Sequence, residues 1–301
     1  MYKKLALIII VFGALAALIP HKDSEELPNN PTVLGTSLET LPLPKLQASP
    51  ELADHILPPV LTAKAGLAVD LNSQTILYAQ NFDEKLPIAS LTKLMTALVV
   101  MEKLNLNQRV RVNKLDTSVI GSSMGLLPDE QITVRDLLKG LLIASSNDAA
   151  LVLARAAGGS QEEFVKLMNA KSRQLNLNST SFTNPVGYDH KDNYSTADDL
   201  VKIVNEFLSS PVLSDIVQTR ETVVYSIDKK NIHKLRTTNK LLLEDSKVTG
   251  IKTGFTSGAQ GNLIIRAKEG DKDVVTVILG SSNREEDSRL LLDWLFKVYR
   301  W

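Results

Sequence analysis

The chain has 301 residues, with 34 basic and 34 acidic side chains, no cysteine and 44% apolar residues. That apolar content is enough for a buried core and excludes wholesale disorder. A formal net charge of zero argues against a nucleic-acid-binding protein, whose affinity comes from a basic surface. The lack of cysteine excludes disulfides, thiol catalysis and cysteine-ligated zinc.

Residues 1–20 have the pattern of an export signal. Lys3 and Lys4 precede an apolar run from Leu5 to Ile19, which ends at Pro20. A basic start before about 15 apolar residues is typical of a signal peptide, whereas a spanning helix usually needs about 20. We therefore predict a signal peptide or an uncleaved membrane anchor over 1–20. Either one predicts an extracytoplasmic protein, in the periplasm or on the outer face of the cell membrane, that meets the membrane only through this segment.

Residues 21–61 are predicted to form an extended extracytoplasmic linker. Eight of the twelve prolines lie between residues 20 and 59. Proline lacks an amide donor and fixes φ, so such a stretch cannot form a sheet ladder or a long helix. The remaining residues, 62–301, are expected to form one globular domain.

The domain is predicted to begin with a hairpin and to continue into helices. Two strand-like runs, 65–70 and 74–78, flank a turn signal at Asn72-Ser73. Apolar residues spaced three and four apart then predict an amphipathic helix up to Leu104. Further runs predict helices over 134–144, 148–157, 161–175 and 284–300, and strands over 221–227, 247–253, 261–268 and 273–280. A sheet built from both chain ends would enclose the helical middle.

The first of three short motifs places Ser90 three residues before Lys93, at the start of the first predicted helix. Positions i and i+3 share a helix face, so the amine can lie beside the hydroxyl. A serine needs a neighbouring base to become a nucleophile, and a lysine is such a base only when burial or another cation lowers its pKa. Ser226 and Lys229 have the same spacing in a strand-like run, so the spacing alone is weak evidence for a catalytic pair.

The second motif, Ser145-Ser146-Asn147, lies between two helical runs and by itself is equally consistent with a helix cap. A similar triplet occurs at 281–283. The third motif, Lys252-Thr253-Gly254, occurs once, on a predicted strand. Because glycine on a strand permits close backbone approach, a ligand could pair with this strand while Lys252 and Thr253 meet its charged groups.

Together and in this order, the motifs resemble the signature of the serine D-alanyl-D-alanine peptidases, the low-molecular-mass penicillin-binding proteins. The similarity extends to the segments 87–93, 121–126, 142–150, 194–197 and 250–256, and covers about residues 62–301. Ser146 departs from the glycine that many relatives carry there. The resemblance implies an α/β (α+β) fold of the β-lactamase and DD-peptidase type. This fold has an antiparallel sheet of about five strands flanked by helices, an all-helical subdomain and a site between them.

The resemblance also implies roles for individual residues. Ser90 would attack the carbonyl between two D-alanines with Lys93 as general base, and Ser145 would relay a proton to the leaving amine. The implied substrate-binding residues are Asn147, Lys252, Thr253, Gly254 and Arg284, and the backbone amides of Ser90 and Phe255 would form the oxyanion hole. Neither a metal nor a cofactor is implied.

The implied activity is a D-Ala-D-Ala carboxypeptidase that trims peptidoglycan stem peptides through a Ser90 acyl-enzyme and that β-lactam antibiotics inhibit covalently. A DD-endopeptidase that cuts cross-links is the alternative. It gains weight because carboxypeptidases of this kind often add a second β-rich domain and an amphipathic anchor, neither of which is expected before the last residue, Trp301. A β-lactamase is less favoured, since Glu162 and Glu163 lie in a helical run without the loop context of the deacylating glutamate. A non-catalytic wall-binding module is also less favoured, since every motif residue is intact.

Other chemistries find little support. A Ser-His-Asp triad would need His190 or His233, yet no serine lies in a nucleophile-elbow context. No His-x-x-x-His pair or carboxylate cluster suggests a metal site. Both histidines are therefore expected to be surface or hydrogen-bonded residues.

Overall fold

The computed structural model describes residues 48–54 and 56–301. The predicted signal or anchor over 1–20 and most of the predicted linker lie outside the described residues. Among those residues, no helix has both the length and the apolar character needed to cross a membrane.

A five-stranded antiparallel sheet forms the centre of the domain. The strand order is β3-β2-β10-β9-β8, so the first hairpin shares a sheet with three strands from the end of the chain and joins them through the pairing of β2 with β10. Its members are β2 (Ala65–Asp70), β3 (Ile76–Gln80), β8 (Val248–Thr256), β9 (Gln260–Glu269) and β10 (Lys272–Ser281). The predicted sheet of about five strands from both chain ends is confirmed.

Helices and short hairpins fill the chain between β3 and β8. The helices are α1 (Thr92–Lys103), α2 (Val134–Ile143), α3 (Asn147–Gly158), α4 (Gln161–Gln174), α5 (Ala197–Leu208), α6 (Pro211–Gln218) and α7 (Lys240–Glu244). Two antiparallel pairs join them: β4 (Arg109–Arg111) with β5 (Gln131–Thr133), and β6 (Glu221–Tyr225) with β7 (Ile232–Arg236). The predicted strand at 221–227 therefore belongs to a separate hairpin rather than to the central sheet.

Each face of the sheet packs on a different layer. On β10, Val275 and Val277 belong to the large core that includes α1 to α5, whereas Val274 and Ile278 pack with α8 (Arg284–Val298). Successive side chains of a strand point to opposite faces, so a strand covered on both sides buries the side chains of both faces. This is why β2 and β10 are buried along nearly their whole length.

The segment that precedes the sheet lies along α8. The short strand β1 (Glu51–Leu52) pairs with β11 (Tyr299–Arg300), and the indole N–H of Trp294 donates to Ile56 O at 2.9 Å. Thr62 donates through its backbone and its hydroxyl to Asp287 at 3.0 and 2.8 Å. Residues 51, 52, 56 and 62 thus make defined contacts with the domain.

Candidate active site

Ser90 lies in a single 3₁₀ turn, residues 89–91, that leads into α1. Lys93 follows on the first turn of α1, and its Nζ lies 2.8 Å from Ser90 Oγ. Nζ also donates to Val186 O at 2.8 Å. The lysine is completely buried while Ser90 is half-buried, so a small molecule can reach the hydroxyl but not the amine behind it.

Burial is the main reason why the pKa of Lys93 lies well below its ordinary value of 10.5. The positive charge of Lys252 lowers this pKa further, and the carboxylate of Asp148 opposes that effect. A neutral amine at hydrogen-bonding distance from a serine hydroxyl can accept its proton.

Lys252 and Ser145 form a second amine–hydroxyl pair. Lys252 Nζ donates to Ser145 Oγ at 2.8 Å and to Thr253 O at 3.0 Å. Burial, and secondly the charge of Arg284, lower the pKa of Lys252 to about 7. Near neutral pH this amine therefore exists in both protonation states and can exchange a proton with its neighbours.

Asn147 is held by the loop 120–126. Its Nδ2 donates to Ile120 O at 2.5 Å, and its backbone N–H donates to Ser122 O at 2.7 Å. With Nδ2 engaged in this way, the side-chain oxygen is left to accept a hydrogen bond from an N–H group.

A buried carboxylate fixes that loop in turn. Asp148 accepts hydrogen bonds from the Ser123 hydroxyl at 2.6 Å and from the backbone N–H groups of Met124, Gly125 and Leu126 at 3.0–3.1 Å. Asp148 is 1% exposed and follows Asn147 at the start of α3, so one helix end carries both the site residue and the anchor of its loop.

The strand β8 lies at one edge of the sheet and carries the third motif. Thr253 is buried, and its Oγ1 lies 2.6 Å from Thr238 Oγ1. Arg284, at the start of α8, donates from Nη1 to Gly254 O at 2.7 Å. Phe255 is the residue of β8 that follows Gly254, and it is 65% exposed.

Two glycines permit the close approach of backbone to the turn that carries Ser90. A Cβ on Gly187 would lie 2.0 Å from Ala89 O, and one on Gly254 would lie 2.9 Å from Ile88 O. Ala89 has φ +47° and Ser145 has φ +58°, a region that residues with a Cβ rarely occupy. Strain of this kind concentrates at functional sites.

The look-alike motifs serve structural roles. Ser226 bonds Asp228 at 2.6 Å in the turn between β6 and β7, while Asn283 caps α8 and Ser281 bonds Asp287. His190 is exposed. His233 is buried, with its ring nitrogens 2.6 Å from Glu130 Oε1 and 3.0 Å from Met124 O.

The two glutamates considered for a β-lactamase mechanism belong to a helix, and the described residues hold no metal-binding cluster. Glu162 and Glu163 lie in the first turn of α4, where Glu163 pairs with Lys166. Within residues 48–54 and 56–301, no group of three or more acidic, histidine or cysteine side chains could hold a metal ion.

Several contacting residues escaped the sequence analysis. Val186, Ile120 and Ser122 contribute only backbone carbonyls, which leave no signature in side-chain identity. Asp148 and the loop 120–126 lie in segments that matched the resemblance, but no role followed from it. Thr238 lies outside all three motifs.

Known proteins match both the sequence and the fold. A sequence model of the D-alanyl-D-alanine carboxypeptidase family, peptidase S11, matches residues 53–283. The D-alanyl-D-alanine carboxypeptidase DacF of Bacillus subtilis is 36% identical over 245 residues, which are 79% of this chain and 63% of DacF. A D-alanyl-D-alanine endopeptidase of Escherichia coli is 31% identical over 84% of this chain and 83% of its own length.

The crystal structure of the Streptomyces K15 DD-transpeptidase superimposes with a TM-score of 0.76 at 30% identity, over 80% of this chain and all of that one. The chain spans less than two thirds of the length of DacF and of the E. coli carboxypeptidase DacC.

Proposed function

Because the chain belongs to the D-alanyl-D-alanine carboxypeptidase family of serine peptidases, we propose that it removes the terminal D-alanine from peptidoglycan stem peptides through an acyl-enzyme on Ser90. The observation that carries this proposal is the 2.8 Å contact between Ser90 Oγ and the buried amine of Lys93. The lowered pKa of that amine supports its use as a base.

In the acylation step, Lys93 Nζ accepts the proton of Ser90 while Oγ bonds to the carbonyl carbon between the two D-alanines. The backbone N–H groups of Ser90 and Phe255 stabilise the oxyanion, and each such donor lowers the barrier by about 3 kcal/mol. The carbon–nitrogen bond then breaks, and D-alanine leaves as its amine takes a proton through Ser145 and Lys252. Water finally hydrolyses the ester: its hydroxyl adds to the acyl carbon and its proton restores the Ser90 hydroxyl. The proton that Lys93 took from Ser90 replaces the one that Lys252 gave to the leaving amine, which closes the cycle.

The binding groups suit a peptide with a negative end. The Asn147 side-chain oxygen accepts from an amide N–H of the stem peptide, since its Nδ2 is engaged by Ile120 O. Thr253 donates to the terminal carboxylate, and the charges of Lys252 and Arg284 favour it. Gly254 leaves room for the substrate backbone beside β8.

The test is intact mass and peptide mapping of the protein after brief exposure to benzylpenicillin, which would acylate the same serine. We expect an adduct on Ser90 that is absent from S90A. The matched control is S226A, which removes the other serine that precedes a lysine by three residues, and its adduct should equal that of the wild type. A full adduct on S90A would contradict the proposal.

A DD-endopeptidase is the second candidate. It is favoured by the E. coli D-alanyl-D-alanine endopeptidase, of which this chain covers 83%. Pentapeptide monomers and cross-linked dimers, offered separately at equal concentration, distinguish the two activities. Release of free D-alanine from monomers supports the carboxypeptidase, and faster conversion of dimers into monomers supports the endopeptidase.

We also propose that the protein acts outside the cytoplasmic membrane, with 1–20 as signal or anchor, 21–61 as linker and 62–301 as catalytic domain. The substrate class and the basic, apolar start of the sequence support this arrangement. Cell fractionation followed by mass measurement of the N-terminus tests both the compartment and whether the first 20 residues are retained.

A further inference from the structure

Thr238 contacts both walls of the cleft although it belongs to none of the three motifs. It lies between β7 and α7. Its backbone N–H donates to Ile143 O at 3.2 Å, two residues before Ser145, and its Oγ1 lies 2.6 Å from Thr253 Oγ1. One residue therefore connects the helical wall of the cleft with the strand that carries the third motif.

The neighbours of Thr238 hold its backbone in place. The N–H of Thr237 donates to Arg220 O at 2.8 Å, and the N–H of Asn239 donates to the Thr237 hydroxyl at 3.2 Å. Asn239 is 3% exposed and caps α7 through Leu242. The Thr238 hydroxyl is thus presented to Thr253 from a fixed position.

The number of protons on the two hydroxyls determines which of them donates in this contact. Each hydroxyl has one proton to donate and two lone pairs. If the Thr253 proton is directed to a carboxylate, it cannot also fill the 2.6 Å contact, so Thr238 must donate there. A donating hydroxyl also polarises its acceptor and strengthens that acceptor's own donated hydrogen bond.

We propose that Thr238 is a positioning residue that donates to Thr253 Oγ1 and thereby directs the Thr253 proton toward the substrate carboxylate. This inference rests on the proposed function, in which Thr253 binds that group. The inference makes Thr238 responsible for the enzyme's preference for ligands that carry a free carboxylate beside the scissile amide over the corresponding esters.

The experiment compares acylation of Ser90 by benzylpenicillin and by its methyl ester, with the second-order rate followed by intact mass. Thr238→Val keeps the shape of the side chain and removes the hydroxyl. We expect its rate with the acid to fall about fivefold, the usual scale for a hydrogen bond between neutral groups, while its rate with the ester stays near the wild-type value. Thr238→Ser should retain the wild-type ratio of the two rates.

Thr249→Val is the matched control, because it removes from the same strand β8 a hydroxyl that bonds Arg266 O at 3.3 Å. It should leave the acid-to-ester ratio unchanged. Thr238→Ala serves as a second variant if the valine impairs folding, and thermal unfolding checks both.

Equal loss of both rates in the Thr238 variants would assign the residue a purely structural role and overturn the inference, as would an unchanged rate with the acid. If the wild type forms no adduct at all, the proposed function fails as well. A normal wild-type adduct with an unchanged ratio in the variants overturns this inference alone.

Discussion

At the scale of single residues, the two buried lysines determine how the reaction should depend on pH. In the proposed mechanism Lys93 must be neutral to accept a proton, and burial, together with the charge of Lys252, holds its pKa well below the ordinary value of 10.5. In the same proposed mechanism Lys252 must be protonated to supply charge and a proton, and burial and the charge of Arg284 lower its pKa to about 7. As the pH increases, the acylation rate should therefore rise while Lys93 loses its proton. It should fall above about pH 7, where Lys252 loses its proton.

The position of the falling limb can be tested by Arg284→Gln. The charge of Arg284 lowers the pKa of Lys252, so removing it raises that pKa and keeps Lys252 protonated to higher pH. We expect the falling limb of the penicillin acylation profile to move to higher pH, even if the maximal rate decreases.

Arg289→Gln is the control for this prediction. Arg289 lies on the same helix, where it pairs with the exposed Glu244 and Glu286, and its replacement should leave both limbs in place. A falling limb that stays fixed in Arg284→Gln would show that Lys252 does not control it.

At the scale of elements, the start of α3 organises the loop beside the site. Asp148 accepts four hydrogen bonds from residues 123–126, and the N–H groups of Met124 and Leu126 that donate to it are buried. Losing the acceptor leaves those donors unpaired, which costs about 1–3 kcal/mol for each group. The geometry of Asn147 therefore depends on a carboxylate outside the reaction path.

We predict that Asp148→Ala lowers the free energy of unfolding by about 3 kcal/mol and Tm by roughly 6–12 °C. Calorimetry or circular dichroism measures both. Asp129→Asn is the control nearby in the chain, because the Asp129 and Arg111 side chains that pair are both exposed, at 77% and 67%, and such pairs contribute about 0–1 kcal/mol. Asparagine tolerates the positive φ of +70° at this position. Equal Tm values for Asp148→Ala and the wild type would refute the prediction.

At the scale of the whole molecule, the segment before the sheet contributes to the fold although its composition indicates a spacer. Pro50 and Leu61 are buried, and β1 and Ile56 bond to residues near the end of α8. These contacts lie at the opposite end of that helix from Arg284. They should support stability without shaping the site.

Comparison of fragments 48–301 and 62–301 tests this role. We expect the shorter fragment to melt about 2–8 °C lower, since the lost contacts amount to about one or two kcal/mol. Its rate of penicillin acylation should stay within about twofold, because distant sites are usually independent. Identical melting temperatures would mean that the segment is only a spacer.

The sequence by itself determined the elements whose pattern is local. The hairpin of β2 and β3, the helices α1 to α4 and the final helix were predicted close to their observed bounds, because apolar spacing and turn residues act over a few positions. Three ordered motifs and their flanking segments also identified the family and its fold, which the comparisons confirmed.

Elements with weak or mixed local patterns were missed. The strand β7 alternates Ile232, His233, Lys234 and Leu235, with a histidine at a buried position that only Glu130 and Met124 make acceptable. The helices α5 and α6 were not predicted either, although Thr196 and Ser210 cap them.

Only the tertiary structure decided how the motif residues meet. The spacing of Ser90 and Lys93 occurs twice in the chain. The pair Ser90 and Lys93 differs from the other pair because distant segments bury its lysine. Val186 O, Ile120 O and the Thr238 hydroxyl come from loops far from the motifs in sequence. Their positions follow from long-range packing. A backbone carbonyl is present at every residue and a threonine hydroxyl is common, so no local pattern in the sequence could identify them.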